Sequence, residues 1–273
     1  MTQPWHHRWQ RVDETDDPSW YIRFLDASRR GTLSQIQANP DSYYAFLAPA
    51  PGLRILDVGS GTGSLLGPLA PLLQPGGGIV GVDVSLVMVR EANRRAAALH
   101  APMEFQQGDA QQLRFADASF DRAMANQLLV HLDAPERAVR EMVRVTRPGG
   151  LVAVWEGDWE TLVVDAPDRR VTRRIMNFFC DSMPQGWVGR MLPRLFADAG
   201  LVDVHVHPET LLLPGVVWLD PDFGFGRIAE FAERAGAITA VEREAWQADL
   251  ERRSRDSGLF VAFTGFRAVG RRP

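Results

Sequence analysis

The chain has 273 residues, 45% of them hydrophobic and 23% charged, a balance that excludes a disordered polymer and supplies enough apolar material for a full core. Its net charge of -4 gives no basic excess for gripping a polyanion, so nucleic acid is not expected as a partner. All 30 basic side chains are arginine, which removes Schiff-base lysine chemistry and the lysine of a phosphate-binding loop, and the single cysteine, Cys180, can form neither an internal disulfide nor a thiolate metal cluster.

The opening stretch, MTQPWHHRWQRVDETDD, lacks the apolar run of a secretory leader, and no segment approaches the roughly 20 apolar residues that span a bilayer. A cytoplasmic protein without stable membrane insertion is expected. Over the first 50 residues Trp20, Tyr21 and Phe24, then Tyr43, Tyr44 and Phe46, recur at spacings that suit short helices, and the segment is read as an N-terminal helical cap. From Arg54 the pattern changes. Strands are predicted over 54–59, 78–84, 103–110, 120–129 and 150–158, with helices over 85–100, capped by Ser85, and 135–148, stopped at Pro148-Gly149-Gly150. Pro68 and Pro71 predict that the helix after the first strand is short or kinked. Farther on come helices over 169–183 and 187–201, a strand over 202–213, a helical stretch over 221–256 and a last strand over 258–270. Alternating strands and helices predict a doubly wound α/β sheet. With no repeat or long polar linker, one domain is expected over 1–273: cap to residue 50, core over 51–158, lid helices and C-terminal strands from 159.

The most informative run is Ile55-Leu56-Asp57-Val58-Gly59-Ser60-Gly61-Thr62-Gly63, an apolar strand entering a Gly-x-Gly-x-Gly turn. Glycine lets the backbone turn tightly and approach a ligand without a Cβ, and a helix expected after it would present unpaired N–H groups. The second strand ends in Asp83, where a carboxylate can accept bonds from both hydroxyls of a ribose.

Taken with GDAQQLRFADASFD and NQLLVHLDAPERAVREMVRVTRPGG, these motifs resemble, in order and spacing over residues 50–158, the class I methyltransferases similar to the ubiquinone and menaquinone biosynthesis C-methyltransferases. The resemblance implies a Rossmann-like seven-stranded sheet with an antiparallel last strand, and S-adenosyl-L-methionine as cofactor lying across the strand ends. It implies that Gly59, Gly61 and Gly63 contact the amino acid part of the cofactor and Asp83 its ribose. Val84, Met88, Asp109 and Ala110 would surround the adenine, and Asn126 and Gln127 would border the methionine moiety. Asp57 would order the loop.

Methyl transfer from a sulfonium is an in-line displacement that asks mainly for positioning in a dry site, with a base needed only when the acceptor must lose a proton. His131, after the fourth strand, and Glu156, at the end of the fifth, are the candidate catalytic residues. Trp155, Trp159, Phe178, Phe179, Trp187, Trp218, Phe223 and Phe225 make the flanks aromatic, which suits a small aromatic or hydrophobic acceptor as well as an ordinary core. Tyr21, Phe24 and Trp159 are the predicted acceptor contacts. His205 and His207 share a strand face, read as solvated, and no metal is expected there or at His6 and His7. A nicotinamide-dependent oxidoreductase is disfavoured because Ser64 stands one position beyond Gly63, where the dinucleotide spacing calls for glycine. A cofactor-binding regulatory protein without transferase activity remains the rival of a different class, and the acceptor's identity is left open.

Overall fold

The computed structural model describes residues 5–38, 44–213, 224–256 and 258–273, without the side chains of residues 5–8 and 31–38. Its centre is a seven-stranded sheet of β1 (Arg54–Val58), β2 (Gly78–Asp83), β3 (Met103–Gln107), β4 (Phe120–Asn126), β5 (Thr146–Val164), β6 (Val202–Leu212) and β7 (Val261–Arg271). The order is β3-β2-β1-β4-β5-β7-β6. The first five strands run parallel, and β7 is antiparallel to both β5 and β6. Alternation along the central strands feeds two cores: Leu56, Val58, Val80 and Val82 enter one, Ile55 and Ile79 the other. That is the pattern of a sheet covered on both faces.

Seven α-helices are described: α1 (Pro18–Ala38), α2 (Leu86–Leu99), α3 (Pro135–Val145), α4 (Arg169–Ser182), α5 (Val188–Asp198), α6 (Phe225–Arg234) and α7 (Ala240–Asp256). Ser85 caps α2 as expected, its hydroxyl accepting from Met88 N at 3.2 Å. Three expectations change. The stretch after the glycine turn holds no α-helix, because Pro68 and Pro71 leave only turns and a short 3-10 segment, Ala70–Leu73. The stretch read as one helix from 221 breaks between α6 and α7, where Gly236 adopts φ +76°. Finally, β5 starts at Thr146 and runs past 158 to Val164, so the boundary drawn at 158 falls inside a strand; a register shift against β7 between Asp158 and Val163 carries it through.

A 3-10 segment, Trp5–Glu14, and α1 form the cap, with Val12, Tyr21, Leu25 and Met88 as its own small core. It covers the carboxyl ends of β1, β2 and β4, where the strand order reverses direction and open α/β sheets bind ligands. Among the described residues no helix is long and apolar enough to cross a membrane.

Candidate active site

Beyond Val58 the backbone turns through Gly59, Gly61 and Gly63, with φ of +72°, +53° and +63°. The N–H groups of Gly59 and Ser60 donate to the Val82 carbonyl at 2.8 and 3.0 Å, which ties the turn to β2. A Cβ on Gly59 would stand 2.7 Å from Leu128 Cδ1, and one on Gly63 2.6 Å from Phe105 Cζ, so glycine is required at both by packing as well as by φ. With no helix following, the turn's N–H groups are not arrayed as a helix end. Gly61 N donates instead to Asp83 Oδ2 at 2.8 Å, while Ser85 N donates to Asp83 Oδ1 at 2.9 Å. Burial raises the Asp83 carboxyl, and those two N–H groups oppose the rise. Beneath the turn, burial pushes Asp57 up to about 7.

The loop after β4 is pinned from β5. Gln127, at φ +55°, donates its N–H to the Trp155 carbonyl at 2.9 Å. The N–H groups of Leu128 and Leu129 donate to Glu156 Oε1 at 2.8 and 2.5 Å, and Glu156 Oε2 is buried as well, without a hydrogen-bond partner among the described residues. Burial pushes Glu156 up to about 8. Its side chain lies under the loop and does not line the cavity above it.

That cavity measures about 670 Å³, within the range of small-molecule sites. Gly59, Gly61, Asp83, Val84, Met88, Asp109, Ala110, Asn126 and Gln127 line it at one end; Gly63 faces Phe105 instead. The cap roofs this end with Trp9, Phe24, Leu25 and Arg29, and Arg29 Nη1 would lie 3.8 Å from a Cβ on Gly61. His131 also lines the cavity, its ring stacked on Trp9 at 5.5 Å, and its carbonyl accepts from the Gln10 side chain. At the other end stand Phe46, Trp155, Trp159, Phe179 and Phe263, with Trp159 and Phe263 stacked at 4.8 Å and 5°.

Of the expected acceptor contacts, Phe24 and Trp159 are on the cavity wall and Tyr21 is packed inside the cap, 5% exposed. Phe225 packs on Trp246 in the core and Trp187 is exposed above Arg190, so part of the aromatic flank is structural. Tyr43, Trp218 and Phe223 lie outside the described residues. His205 and His207 are both exposed, as expected of a solvated face of β6, and His207 together with Glu209 and Leu211 also borders the cavity. Sequence reasoning also missed Arg29, Phe46, Phe263 and Arg267, which carry no spacing signal and are brought in by the cap and by antiparallel pairing.

The polar groups at the aromatic end are joined. Arg267 donates from Nε to Glu209 Oε1 at 2.7 Å and from Nη2 to Oε2 at 3.1 Å, and Trp155 Nε1 donates to Glu209 Oε2 at 2.8 Å. The Arg267 guanidinium lies 4.1 Å above the Phe46 ring centre.

Residues 56–154 match the methyltransferase domain family. An uncharacterized 37.1 kDa protein in a Streptomyces fradiae transposon is 37% identical over 197 residues, covering 72% of this chain and 57% of that one. Demethylmenaquinone methyltransferase of Renibacterium salmoninarum is 41% identical over 106 residues, 39% of this chain and 42% of the relative. The chain thus spans about half the length of these curated relatives. In fold it is similar to the YcgJ protein of Bacillus subtilis, with a TM-score of 0.58 and 19% identity over 85% of this chain and 97% of that one. The family match over β1 to β5, the ordered motifs on the cavity wall and the seven-stranded sheet with β7 antiparallel agree: over residues 56–154 the chain is similar to methyltransferase domains, and its fold is theirs.

Proposed function

We propose that the chain is one methyltransferase domain that transfers a methyl group from S-adenosyl-L-methionine to a small aromatic or hydrophobic acceptor in a cytoplasmic setting. The observation that carries this reading is the continuity of the cavity, from the glycine turn and Asp83 to the compartment of Trp155, Trp159, Phe179 and Phe263. A regulatory binder would need only the first end. Relatives named demethylmenaquinone methyltransferase favour a quinone-like acceptor within that class.

The residues present fit the cofactor. Gly59 and Gly61 bring bare backbone to the cavity wall, Asp83 supplies a carboxylate for a diol, and Val84, Met88 and Ala110 give an apolar slot beside Asp109. Arg29, above the turn, offers a guanidinium to a carboxylate at the amino acid end. When bound, the cofactor supplies an electrophilic methyl on a sulfonium. The protein's work is then to align the acceptor from the aromatic end and to exclude water with the cap. His131 takes the proton of an acceptor that must lose one. Glu156 is a positioning residue that holds the Leu128 and Leu129 backbone from below.

Calorimetric titration with S-adenosylmethionine, S-adenosylhomocysteine and a nicotinamide dinucleotide tests the reading. The two sulfur ligands are expected to bind, and Asp83→Ala to weaken them by about 10- to 100-fold through loss of charge-assisted bonds. No binding of either would overturn it, and binding of the dinucleotide alone would move the chain to the oxidoreductases.

A further inference from the structure

Asn126, Trp155, Arg267 and His207 are register partners across β4, β5, β7 and β6, so their side chains leave the same face of the sheet, and all four line the cavity. Adjacent strands lie about 4.8 Å apart, which places the Arg267 backbone on the order of 10 Å from that of Asn126. The row measures distance from the methyl-donor end towards the far end of an acceptor. At the Arg267 position Arg267, the Trp155 indole and Glu209, two residues along β6 from His207, form a joined polar cluster on the cavity wall.

Two features separate this cluster from an ordinary tie between strands. β6 and β7 are already paired along their backbones from Val202 opposite Arg271 to Leu212 opposite Ala262, so the ion pair is not needed to join them. Arg267 is 8% exposed and lies over Phe46, a setting in which an ionised side chain is kept only with its countercharge in place. A lone guanidinium there would select an anion, and a lone carboxylate a cation. Joined, they present directed hydrogen-bonding groups with no net charge inside an aromatic wall.

We propose that Glu209, Arg267 and the Trp155 indole form the acceptor-recognition site, taking an uncharged oxygen, a phenolic hydroxyl or ring carbonyl, of a planar aromatic acceptor about 10 Å from the atom that is methylated. Acceptors with a carboxylate or ammonium at that end are rejected. The inference rests on the transferase reading for what happens at the opposite end of the cavity, and on the geometry alone for the chemistry of this one.

The test titrates the full chain, saturated with S-adenosylhomocysteine, with naphthol, naphthalene, naphthoate and naphthylmethylamine, followed by tryptophan fluorescence and calorimetry. Naphthol is expected to bind about tenfold more tightly than naphthalene, and both charged analogues more weakly than naphthol. In Glu209→Gln the affinity for S-adenosylhomocysteine stays unchanged, naphthol weakens about tenfold, and naphthoate gains because the guanidinium has lost its countercharge. Wild-type binding of naphthoate or naphthylmethylamine as tight as that of naphthol overturns the proposal, as does an unchanged ranking in the variant. If Glu209→Gln loses S-adenosylhomocysteine through misfolding, the wild-type ranking decides alone. Failure of the wild type to bind S-adenosylhomocysteine sinks the transferase reading, while the same naphthyl series without it still reports on this cluster.

Discussion

Glu156 and His131 divide the work that sequence assigned to both as bases. The Glu156 carboxyl is buried under the Leu128 and Leu129 backbone, away from the cavity wall that His131 occupies. Burial raises Glu156 from its ordinary 4.5 to about 8, and Asp57 from 3.8 to about 7. The folded chain therefore holds protons that the unfolded chain releases, so this contribution is full below about pH 4 and is lost as pH rises towards 8. Replacing Glu156 with glutamine removes its share while keeping an oxygen for the two N–H groups. Thermal unfolding at pH 5 and pH 8 should show the variant gaining roughly 1–3 kcal/mol on the wild type between the two. A constant difference would contradict the assignment. Methyl transfer by Glu156→Gln should stay within about threefold of wild type, whereas His131→Ala should lower kcat for a phenolic acceptor about 100-fold with the cofactor's Kd little changed.

The elements that close the site are held by polar contacts between segments far apart in the chain. Asp13, in the cap, accepts from the N–H groups of Leu86 and Val87 at 2.7 and 3.3 Å and from the Ser85 hydroxyl, so one carboxylate serves the N-terminus of α2 from outside it. Asp26 of α1 accepts from Arg95 of α2 at 2.8 and 3.0 Å, and Gln10 reaches the His131 carbonyl. Asp13→Ala should loosen the cap without touching the sheet. Stopped-flow release of S-adenosylhomocysteine, read by cap tryptophan fluorescence, is expected to quicken about three- to tenfold; an unchanged release rate would show that the cap does not gate this end. The helix-to-turn change after β1 belongs to the same scale. Pro68 and Pro71 remove the N–H groups a helix would need, and Asp83 engages the glycine turn in its place.

For the whole molecule, the cavity is a joint product of cap, sheet and the antiparallel pair β6 and β7, so ligand binding should register globally. At about 100 times its Kd, S-adenosylhomocysteine is expected to add about 2.7 kcal/mol of stability. Amide exchange should slow more in the cap than in β6, because the cap roofs the cofactor end and β6 is an edge strand; equal protection of both would count against that placement. The sequence by itself determined the alternation of strands and helices in the parallel half and the residues at its carboxyl ends. Asp83 and Asn126 end their strands, Gly59, Gly61 and Asp109 stand in the turns that follow theirs, and a doubly wound topology brings those strand ends together whatever else the chain does. What only the tertiary structure decided is the acceptor end. Trp155, Arg267, His207 and Glu209 meet through register between strands more than 50 residues apart, and Arg29 arrives on a cap helix with no motif of its own. Local periodicity can specify a strand or a helix, but the partner that a side chain faces across a sheet depends on pairing, which no short stretch of sequence encodes.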